Sequence, residues 1–498
     1  MMKIHAKPSL FICFHQRTRF DIHKWSNQDD QAIFIRLIPN ITPTARKTSL
    51  RIRFGDKSAE RIASESTDKR TKKGTIVGAV ALIIGTSIGT GILAVPKRTS
   101  PAGFFPSAVT MTVCWAFLLL DAILLSEVNV DLLKRKKQQM RGREGEEELE
   151  VISIRTMAQA TLGEWGGALA TLNYVFLGYT TVLAYTAKSG EILSNLTGMP
   201  PSISGVFFTA IFTILISVGS TRTTDQVNQW LTAAMIGLLV AIDVLAVVSG
   251  EWSGLEEMWN WEEVPPTIPV IIFTLVYHDL APVICAYLDG DIARIRTSFA
   301  IGSLTPLLIL LVWNAVALGL SAHADNSVDP VDMLMRLRWT GASALVQTFS
   351  LLAVGTSLIG TLLGFSKFFL EQLDNLAQRQ SAGKRSPLIS FAAAAMAVVP
   401  SLFISTIVPD AFSAATDIAG GYCMTFLYGV FPSAMALAMQ SRRSTDASLA
   451  DGYEDEKKED VGQLILSEVR PVPIVLGLFG CGIIMEQILQ EVSALHPY

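Results

Sequence analysis

Long apolar stretches alternate with short polar segments along this chain from residue 75 to residue 491. Each stretch is roughly 20 residues long, the length that an α-helix needs to cross the hydrocarbon core of a bilayer. The stretches lie at residues 75–95, 103–127, 167–187, 204–220, 229–249, 267–288, 299–320, 344–369, 387–408, 418–440 and 472–491. The pattern predicts an all-α polytopic membrane protein with eleven transmembrane helices, numbered here as spans one to eleven.

Span one is interrupted near its middle by glycine and hydroxyl residues. Residues 85–91 read Gly-Thr-Ser-Ile-Gly-Thr-Gly. Glycine weakens a helix, and each freed backbone group costs several kcal/mol in hydrocarbon unless another group satisfies it. Broken backbone is tolerated where it lines a polar cavity, as in secondary transporters. The spacing of Gly85 and Gly89 alone would equally suit close packing of two membrane helices.

Span six carries a second interruption, at residues 277–282, which read Tyr-His-Asp-Leu-Ala-Pro. His278 and Asp279 are adjacent ionisable residues inside an apolar run, and such residues indicate a functional site. Two interrupted spans at corresponding positions of two halves point to a transporter site. Spans one and six correspond if spans one to five and six to ten form inverted repeats, so we expect helices one and six to be broken.

Composition agrees with a membrane protein. Of 498 residues, 50% are hydrophobic and 17% charged, below the share of about 25% typical of soluble proteins. The net charge of −4 says little about partners because the charges are segregated. We expect a basic leader or tail at 1–73, a ten-helix core at 74–440, a charged mobile loop at 441–471, and an eleventh helix with a tail at 472–498. The expected partners are the lipid bilayer and a small substrate, and no nucleic acid.

The leader at 1–73 differs in kind from the rest of the chain. It holds sixteen Lys or Arg residues against seven Asp or Glu residues. Its apolar piece at 10–14 is too short for a secretory signal, and a basic, acid-poor leader is typical of an organelle transit peptide. A disordered cytosolic tail and sequence upstream of the true start remain alternatives. An organelle membrane is therefore one location that this predicts, and a plasma or internal membrane is the other.

Loop charges predict the orientation of the spans. Lys and Arg residues precede span one and follow the even-numbered spans two to ten. The loop after span five has several Glu residues and no Lys or Arg. By the positive-inside rule the N-terminus lies inside and the C-terminus outside. Lys97 and Arg98, which follow span one, are the exception.

The residues give little support to metal, disulfide or enzyme chemistry. The five cysteines are scattered, without a CxxC pair or a Cys/His cluster, so neither a zinc site nor a disulfide framework is predicted. HExxH is absent, and the GxSxG pattern at 85–89 lies in a membrane span rather than in the strand–turn–helix that a nucleophile elbow needs. No filter loop recurs, as a channel would favour. We expect no cofactor and no enzyme, with a channel or a membrane-embedded enzyme as distant alternatives.

Four segments resemble one known family. Residues 78–96 are similar to span one of the aromatic amino acid permeases, the tryptophan/tyrosine permeases of the amino acid/polyamine/organocation superfamily, and differ mainly in having Thr90 where alanine is usual. Residues 124–129, 273–282 and 355–364 resemble the family's spans two, six and eight. The leader is not part of the bacterial pattern and resembles that of plant and algal relatives, a resemblance that implies a plastid envelope as the location.

The resemblance implies the leucine transporter-type fold, with a 5+5 inverted repeat in spans one to ten and span eleven outside it. It also implies secondary active transport of an amino acid, most plausibly tyrosine or tryptophan, by proton-coupled symport with alternating access. A sodium-coupled or exchange carrier for another neutral amino acid is the alternative.

The break in span one suits an amino acid carboxylate, because half-helix N-termini expose N–H groups and a positive dipole end. The substrate-binding residues expected in span one are Gly85, Thr86, Gly89, Thr90 and Gly91. The freed carbonyls at 84–86 would meet the substrate ammonium or a cation. An aromatic substrate also needs apolar walls, for which the candidates are Tyr174, Tyr179, Tyr277 and His278. Ordinary helix packing is the alternative for each tyrosine.

The coupling ion is expected to be H⁺, with Na⁺ as the alternative. His278 and Asp279 are the expected titrating pair, although a neutral histidine bonded to a backbone carbonyl would explain His278 equally well. Asp121 and Asp243 are further intramembrane acids, and Asp243 in span five is the preferred relay. For Na⁺, Thr356 and Ser357 in span eight would supply oxygen ligands, although hydroxyls in membrane helices commonly bond their own backbone.

Overall fold

The computed structural model describes residues 22–23, 34–35, 74–140, 151–219, 221–249, 259–321, 342–376, 387–408, 410–450, 467 and 469–495. The chain forms two units, Met1–Thr71 and Lys72–Tyr498. In the first unit, strand β1 (Ile22–His23) pairs antiparallel with strand β2 (Phe34–Ile35). The rest of the predicted leader, and residues 451–466 of the predicted charged loop, lie outside the described residues.

The described part of the second unit is built from helices. Span one consists of α1 (Ile76–Ser87) and α2 (Gly91–Thr99). Spans two to five are α3 (Phe104–Met140), α5 (Glu164–Thr197), α6 (Pro201–Val218) and α7 (Thr221–Ser249), with the short helix α4 (Ile154–Leu162) before span three.

Span six follows two 3₁₀ turns, Trp261–Glu263 and Pro265–Thr267, and comprises α8 (Ile268–Leu275), the 3₁₀ turn His278–Leu280 and α9 (Ala281–Tyr287). Spans seven to nine are α10 (Ile292–Ser321), α11 (Ala342–Leu376) and α12 (Pro387–Ile407). Span ten runs through α13 (Ala411–Ile418), the π-helical segments Ala419–Met424 and Phe426–Val430, and α14 (Phe431–Ala450), and span eleven is α15 (Pro471–Leu495).

The prediction of an all-α protein with eleven spans is confirmed. Among the described residues, ten helices are long and apolar enough to cross a membrane, and the pair α1 and α2 supplies the eleventh span. The axes of α1 and α2 differ by 58°, so span one is broken as expected. Span six is broken between α8 and α9, at the position where His278 and Asp279 interrupt the apolar run.

Two features were not expected from the sequence. Helix α4 lies between spans two and three, where its N-cap Ser153 accepts a hydrogen bond from the Thr156 amide. It ends at Gly163, whose φ of 88° lies in the left-handed region that favours glycine. The π-helical turns of span ten were also missed, because hydrophobic patterning does not distinguish a π-helix from an α-helix. Such turns often mark functional sites.

Span six forms the centre of the bundle. In its most apolar part 72% of residues are buried, compared with 17% in spans four and five. The outer spans present large apolar side chains on their surface, including Val218, Trp230, Phe403 and Leu478. These surfaces match the hydrocarbon that surrounds a transmembrane bundle. The two breaks therefore lie inside the protein, where broken backbone can be satisfied.

Span ten packs against span six through a glycine. A methyl group at Gly420 would overlap the carbonyl of Pro269 and lie 3.2 Å from the Cβ of Phe273. Only glycine therefore permits the observed approach of the first π-helical segment to α8. In contrast, a methyl group at Gly360 in span eight would meet no atom within 4 Å.

We predict that Gly420→Ala destabilises the protein while Gly360→Ala does not. Overpacking typically costs about 1–3 kcal/mol, and the Pro269 carbonyl belongs to a helix that cannot move alone. Thermal unfolding of the purified variants in detergent should show a lower midpoint for Gly420→Ala and an unchanged or higher midpoint for Gly360→Ala. Equal midpoints for both variants would refute this packing account.

Candidate functional site

The break in span one begins after Ser87. The Ser87 hydroxyl donates to the Ile83 carbonyl at 2.8 Å, and the Thr86 hydroxyl donates to the Leu82 carbonyl at 2.9 Å. Ile88 is extended, with φ of −89° and ψ of 111°. The Thr90 amide, which would continue the helix onto the Thr86 carbonyl, donates instead to a side chain in span eight. The Thr86 carbonyl therefore lacks the amide donor that it would have in a continuous helix. The Thr86 hydroxyl, which was expected to bind substrate, forms its hydrogen bond within its own helix.

Span eight holds the break in place. Ser357 Oγ accepts the Thr90 amide hydrogen bond at 3.0 Å, and the Thr90 hydroxyl donates to the Ala353 carbonyl at 3.4 Å. A Cβ atom at Gly89 would lie 2.5 Å from Ser357 Oγ. Glycine at position 89 therefore lets Ser357 approach the broken backbone. The expectation that the Thr90 amide faces a carboxylate is wrong, because Ser357 is its acceptor.

The rest of the predicted span-one cradle packs against other helices. Gly91 is buried, and a Cβ atom there would lie 2.8 Å from the Cα atom of Thr274 in span six. A Cβ atom at Gly85, inside α1, would lie 3.8 Å from the Thr232 side chain in span five. Gly91 therefore brings the two broken spans together, while Gly85 lies on the side of span one that faces span five.

The hydroxyls of Thr356 and Ser357 form hydrogen bonds with different partners. The Thr356 hydroxyl donates to the carbonyls of Leu352 and Ala353 at 3.0 and 3.1 Å, and lies 3.7 Å from Met235 Sδ in span five. Only Ser357 reaches the break. The expectation that both hydroxyls serve one cation stays a prediction.

The break in span six separates the two ionisable residues that the sequence places side by side. Val276 is extended, and the single 3₁₀ turn His278–Leu280 follows. His278 is completely buried, whereas Asp279 is exposed. The exposed side chain of Asp279, in a span whose apolar part is mostly buried, indicates a space inside the bundle beside it. The two side chains therefore have different surroundings, and the expectation that they form one titrating pair stays a prediction.

We call this inferred space the central opening, and define it by Asp279 and the neighbouring side chains of Ser357, Tyr185, Tyr174 and Tyr428. Tyr428 in span ten donates a hydrogen bond to Asp279 Oδ1. The Tyr185 hydroxyl has Ser357 as a side-chain neighbour, and the Asp279 carboxylate lies within electrostatic range of both Tyr185 and Tyr174. Spans three, six, eight and ten thus contribute polar groups to one place beside the break in span one.

Aromatic rings form the apolar side of the central opening. The ring of Tyr174 lies 6.3 Å from that of Phe365 and 5.5 Å from that of Phe368 in span eight. The ring of Tyr185 lies 6.3 Å from that of Phe273 in span six. Such spacings are typical of aromatic contacts. A planar apolar side chain would therefore meet rings from spans three, six and eight.

Sequence reasoning missed Tyr185 and Tyr428. Tyr185 lies eleven residues after Tyr174, close to three whole turns of a helix, so the two tyrosines share a face. The same periodicity places Tyr179 on another face of span three, where its hydroxyl donates to the Met396 carbonyl of span nine at 3.1 Å. Its ring lies 5.0 Å from that of Phe365, and its expected role in the site stays a prediction. No sequence signal places Tyr428, because its position depends on the π-helical turns of span ten.

Tyr277 and His278 lie behind span six, away from the central opening. The Tyr277 ring lies 5.7 Å from that of Phe299 in span seven. The His278 ring lies 5.2 Å from that of Tyr428, nearly parallel to it. Both side chains are buried. Neither faces the substrate position that the sequence assigned to them.

Asp243 lies apart from the residues of the central opening. It is buried in span five, and its Oδ1 atom has no hydrogen-bond partner among the described residues. No described contact joins it to the break in span one or to Asp279. Its role as a relay stays a prediction.

Comparisons with known proteins identify the family of this chain. The sequence matches the tryptophan/tyrosine permease family over residues 72–449. The chain belongs to the tryptophan/tyrosine permease family. It is 25% identical over 405 residues to the tryptophan-specific transport protein of Pseudomonas aeruginosa, covering 76% of this chain and 90% of that protein. It is 26% identical over 387 residues to tyrosine-specific transport system 1 of Haemophilus influenzae, covering 74% of this chain and 88% of the relative.

The fold of this permease is shared with a solved transporter structure. The structure of MhsT in complex with L-phenylalanine superimposes with a TM-score of 0.55, at 15% sequence identity, covering 82% of this chain and 98% of that chain. This likeness confirms the predicted leucine transporter-type fold. Because the family consists of permeases and its relatives are transport proteins, the expectation that the chain is not an enzyme is also confirmed.

The permease has a cavity at the end of the bundle where α2 ends, away from Asp279. Its volume is about 470 Å³, and spans one, three, four, nine and ten line it. Ion pairs cross its lining: Arg98 pairs with Asp417, and Lys97 Nζ lies 3.9 Å from Asp410 Oδ2. These pairs join span one to span ten. They account for the two basic residues that break the loop-charge pattern.

We predict that Gly89→Leu stops substrate uptake by this permease without preventing membrane insertion. A leucine side chain would displace Ser357 and fill the space beside the break. We expect at least about tenfold weaker binding, equivalent to ~1.4 kcal/mol. Gly237→Leu in span five is the control, because a Cβ atom there meets nothing within 4 Å. Tryptophan binding to purified protein would test this, and wild-type affinity in Gly89→Leu would remove the break from the site.

Proposed function

We propose that this chain is a secondary active transporter that carries an aromatic amino acid across a membrane by proton symport with alternating access. The observation that carries the proposal is the central opening, where backbone breaks, a carboxylate and aromatic rings meet in the middle of the bundle. Its relatives include proteins named for tryptophan and tyrosine transport. The charge pattern of the loops supports an N-terminus on the inside.

The site suits the charges of an amino acid. Asp279 is accessible and negatively charged when ionised, so it would attract the substrate ammonium. The Thr86 carbonyl lacks its helical donor and offers a second acceptor. The Tyr185 hydroxyl, next to Ser357, offers a donor to the substrate carboxylate. Hydrogen bonds that involve a charged group are about twice as strong as neutral ones, so these few contacts would orient the substrate.

The apolar walls support an aromatic side chain. Tyr174, Phe365 and Phe368 present ring surfaces from two spans at the same depth. Ligand pockets generally combine apolar walls with a few placed polar groups. A smaller neutral amino acid would leave part of this surface uncovered, so we expect tryptophan and tyrosine to bind more tightly than leucine.

Proton coupling is favoured over sodium coupling by the position of the span-eight hydroxyls. The Thr356 hydroxyl donates to its own helix and lies beside Met235, and the Ser357 oxygen already accepts one hydrogen bond, from the Thr90 amide. A bound Na⁺ would need several oxygen ligands, and the predicted pair does not supply them together. A protonatable side chain needs no such cage.

Uptake into proteoliposomes tests this function. We predict that labelled tryptophan and tyrosine accumulate when the inside is alkaline, with weaker accumulation of leucine, and that replacing Na⁺ by choline changes nothing. Without a pH gradient, tryptophan should still exchange across the membrane. Accumulation driven by Na⁺ alone would favour the sodium-coupled alternative, and failure of every amino acid to accumulate or exchange would refute transport.

A further inference from the structure

A group of polar side chains is buried behind span six. Asp121 in span two is completely buried, and neither of its carboxyl oxygens has a hydrogen-bond partner among the described residues. The same holds there for the Tyr277 hydroxyl, both ring nitrogens of His278 and the hydroxyl of Ser433 in span ten. Buried polar groups are almost always paired, so several orphans in one protein region require an explanation.

These side chains form one cluster, which we call the rear cluster: Asp121, Tyr277, His278 and Ser433. Ser433 lies beside Asp121 without reaching hydrogen-bonding geometry. Tyr277 lies within electrostatic range of Asp121 and beside Ser303 of span seven. His278 lies beside the backbone of Leu118, about one helical turn before Asp121.

The side chain of Tyr428 lies between the rear cluster and the central opening. The ring of Tyr428 packs on His278, while its hydroxyl donates to Asp279. Asp279 is thus on the substrate side of Tyr428, and Asp121 is on the far side with His278 and Tyr277. The protein therefore contains two intramembrane carboxyl groups near span six, one exposed and one enclosed.

Among the residues that the structure describes, no cationic side chain pairs with Asp121. The surrounding side chains are Tyr277 and His278 from span six, and Tyr428 and Ser433 from span ten. Span seven contributes the uncharged Ser303. The span-seven residue Arg296 pairs with Glu127, which lies six residues after Asp121 in the same helix. Span eleven brings the apolar Phe479 against Phe117. An isolated buried carboxylate is very costly, so the group must bind a proton or a cation.

The rear cluster suits a proton better than a metal cation. A protonated carboxyl both donates and accepts a hydrogen bond, and the hydroxyls of Ser433 and Tyr277 can each play either part. A neutral imidazole also has one donor and one acceptor. Three oxygen-bearing side chains of this kind are too few for a hard cation, which takes six or more oxygen ligands.

We propose that Asp121 is the proton-carrying group of the symport, held in the rear cluster behind the moving part of span six. This inference rests on the proposed proton symport. In the loading step the Asp121 carboxylate accepts one proton and becomes a carboxylic acid, and in the release step that O–H bond breaks and the proton leaves on the opposite side. Because Tyr277 and His278 belong to the break itself, a movement of span six would change the surroundings of Asp121.

The variant Asp121→Asn tests the assignment, because the amide has nearly the shape of the carboxylic acid and cannot lose a proton. In proteoliposomes we expect Asp121→Asn to bind tryptophan and to perform tryptophan exchange within about twofold of wild type. We expect accumulation driven by the pH gradient to fall by about tenfold or more, within the usual range of coupling between two ligands. Exchange should also lose its dependence on pH.

Two further variants are compared in the same experiment. Asp279→Asn changes the carboxylate on the substrate side and should lose both binding and exchange. Thr110→Val changes a buried hydroxyl of the same helix that donates to the Pro106 carbonyl at 2.8 Å, and should leave accumulation unchanged. Size-exclusion chromatography in detergent establishes that each variant is folded.

The outcomes separate this inference from the proposed function. If the wild type accumulates tryptophan on a pH gradient and Asp121→Asn does so equally, Asp121 does not carry the proton. Loss of binding and exchange in a folded Asp121→Asn would likewise overturn the assignment, because it would place Asp121 in the substrate site. If the wild type itself ignores the pH gradient, proton symport fails and the assignment fails with it.

Tyr277→Phe gives an answer even if Asp121→Asn does not fold. This variant keeps the ring contacts with Phe299 and removes only the hydroxyl beside Asp121. We expect it to shift the pH at which gradient-driven uptake is half-maximal while tryptophan affinity stays within about twofold. An unchanged pH profile in folded Tyr277→Phe would contradict a proton site in the rear cluster.

Discussion

Backbone hydrogen bonding inside a membrane is the constraint on which this structure depends. A helix that breaks at membrane depth must find new partners for its amides and carbonyls, because hydrocarbon offers none. In span one, Ser357 supplies the acceptor for the Thr90 amide. Glycines at positions 89 and 91 let spans eight and six come close enough to enclose the break. The same arrangement that satisfies the backbone also creates a polar site in the centre of the bundle.

The break in span six places two adjacent ionisable side chains in different surroundings. One 3₁₀ turn directs Asp279 into the central opening and leaves His278 buried among rings. Tyr428 contacts both residues, through its hydroxyl and its ring. A substrate charge and a proton could therefore be held at neighbouring places without sharing a surface. This separation is what a coupled carrier requires, since each ligand must influence the other through span six.

Much of the fold could be predicted from the sequence, because hydrophobic run length and glycine punctuation report directly on membrane helices. The span count, the two breaks and the family all came from such local signals. The site was harder. Tyr185 shares a helical face with Tyr174 and was within reach of periodicity, whereas Tyr428 depends on π-helical turns that leave no pattern. The different surroundings of His278 and Asp279, and of Thr356 and Ser357, were not foreseen, because sequence neighbours on a helix point apart.

The central claim is that an aromatic amino acid occupies the opening beside Ser357. It is tested most directly by the labelling of Ser357→Cys with a small thiol reagent, in a protein whose exposed Cys481 and whose Cys13 are replaced by serine. Saturating tryptophan should slow labelling of Ser357→Cys by about tenfold or more, as a bound ligand covers most of its pocket, while arginine has no effect. A labelling rate that tryptophan leaves unchanged, in a variant that still binds tryptophan, would contradict the account.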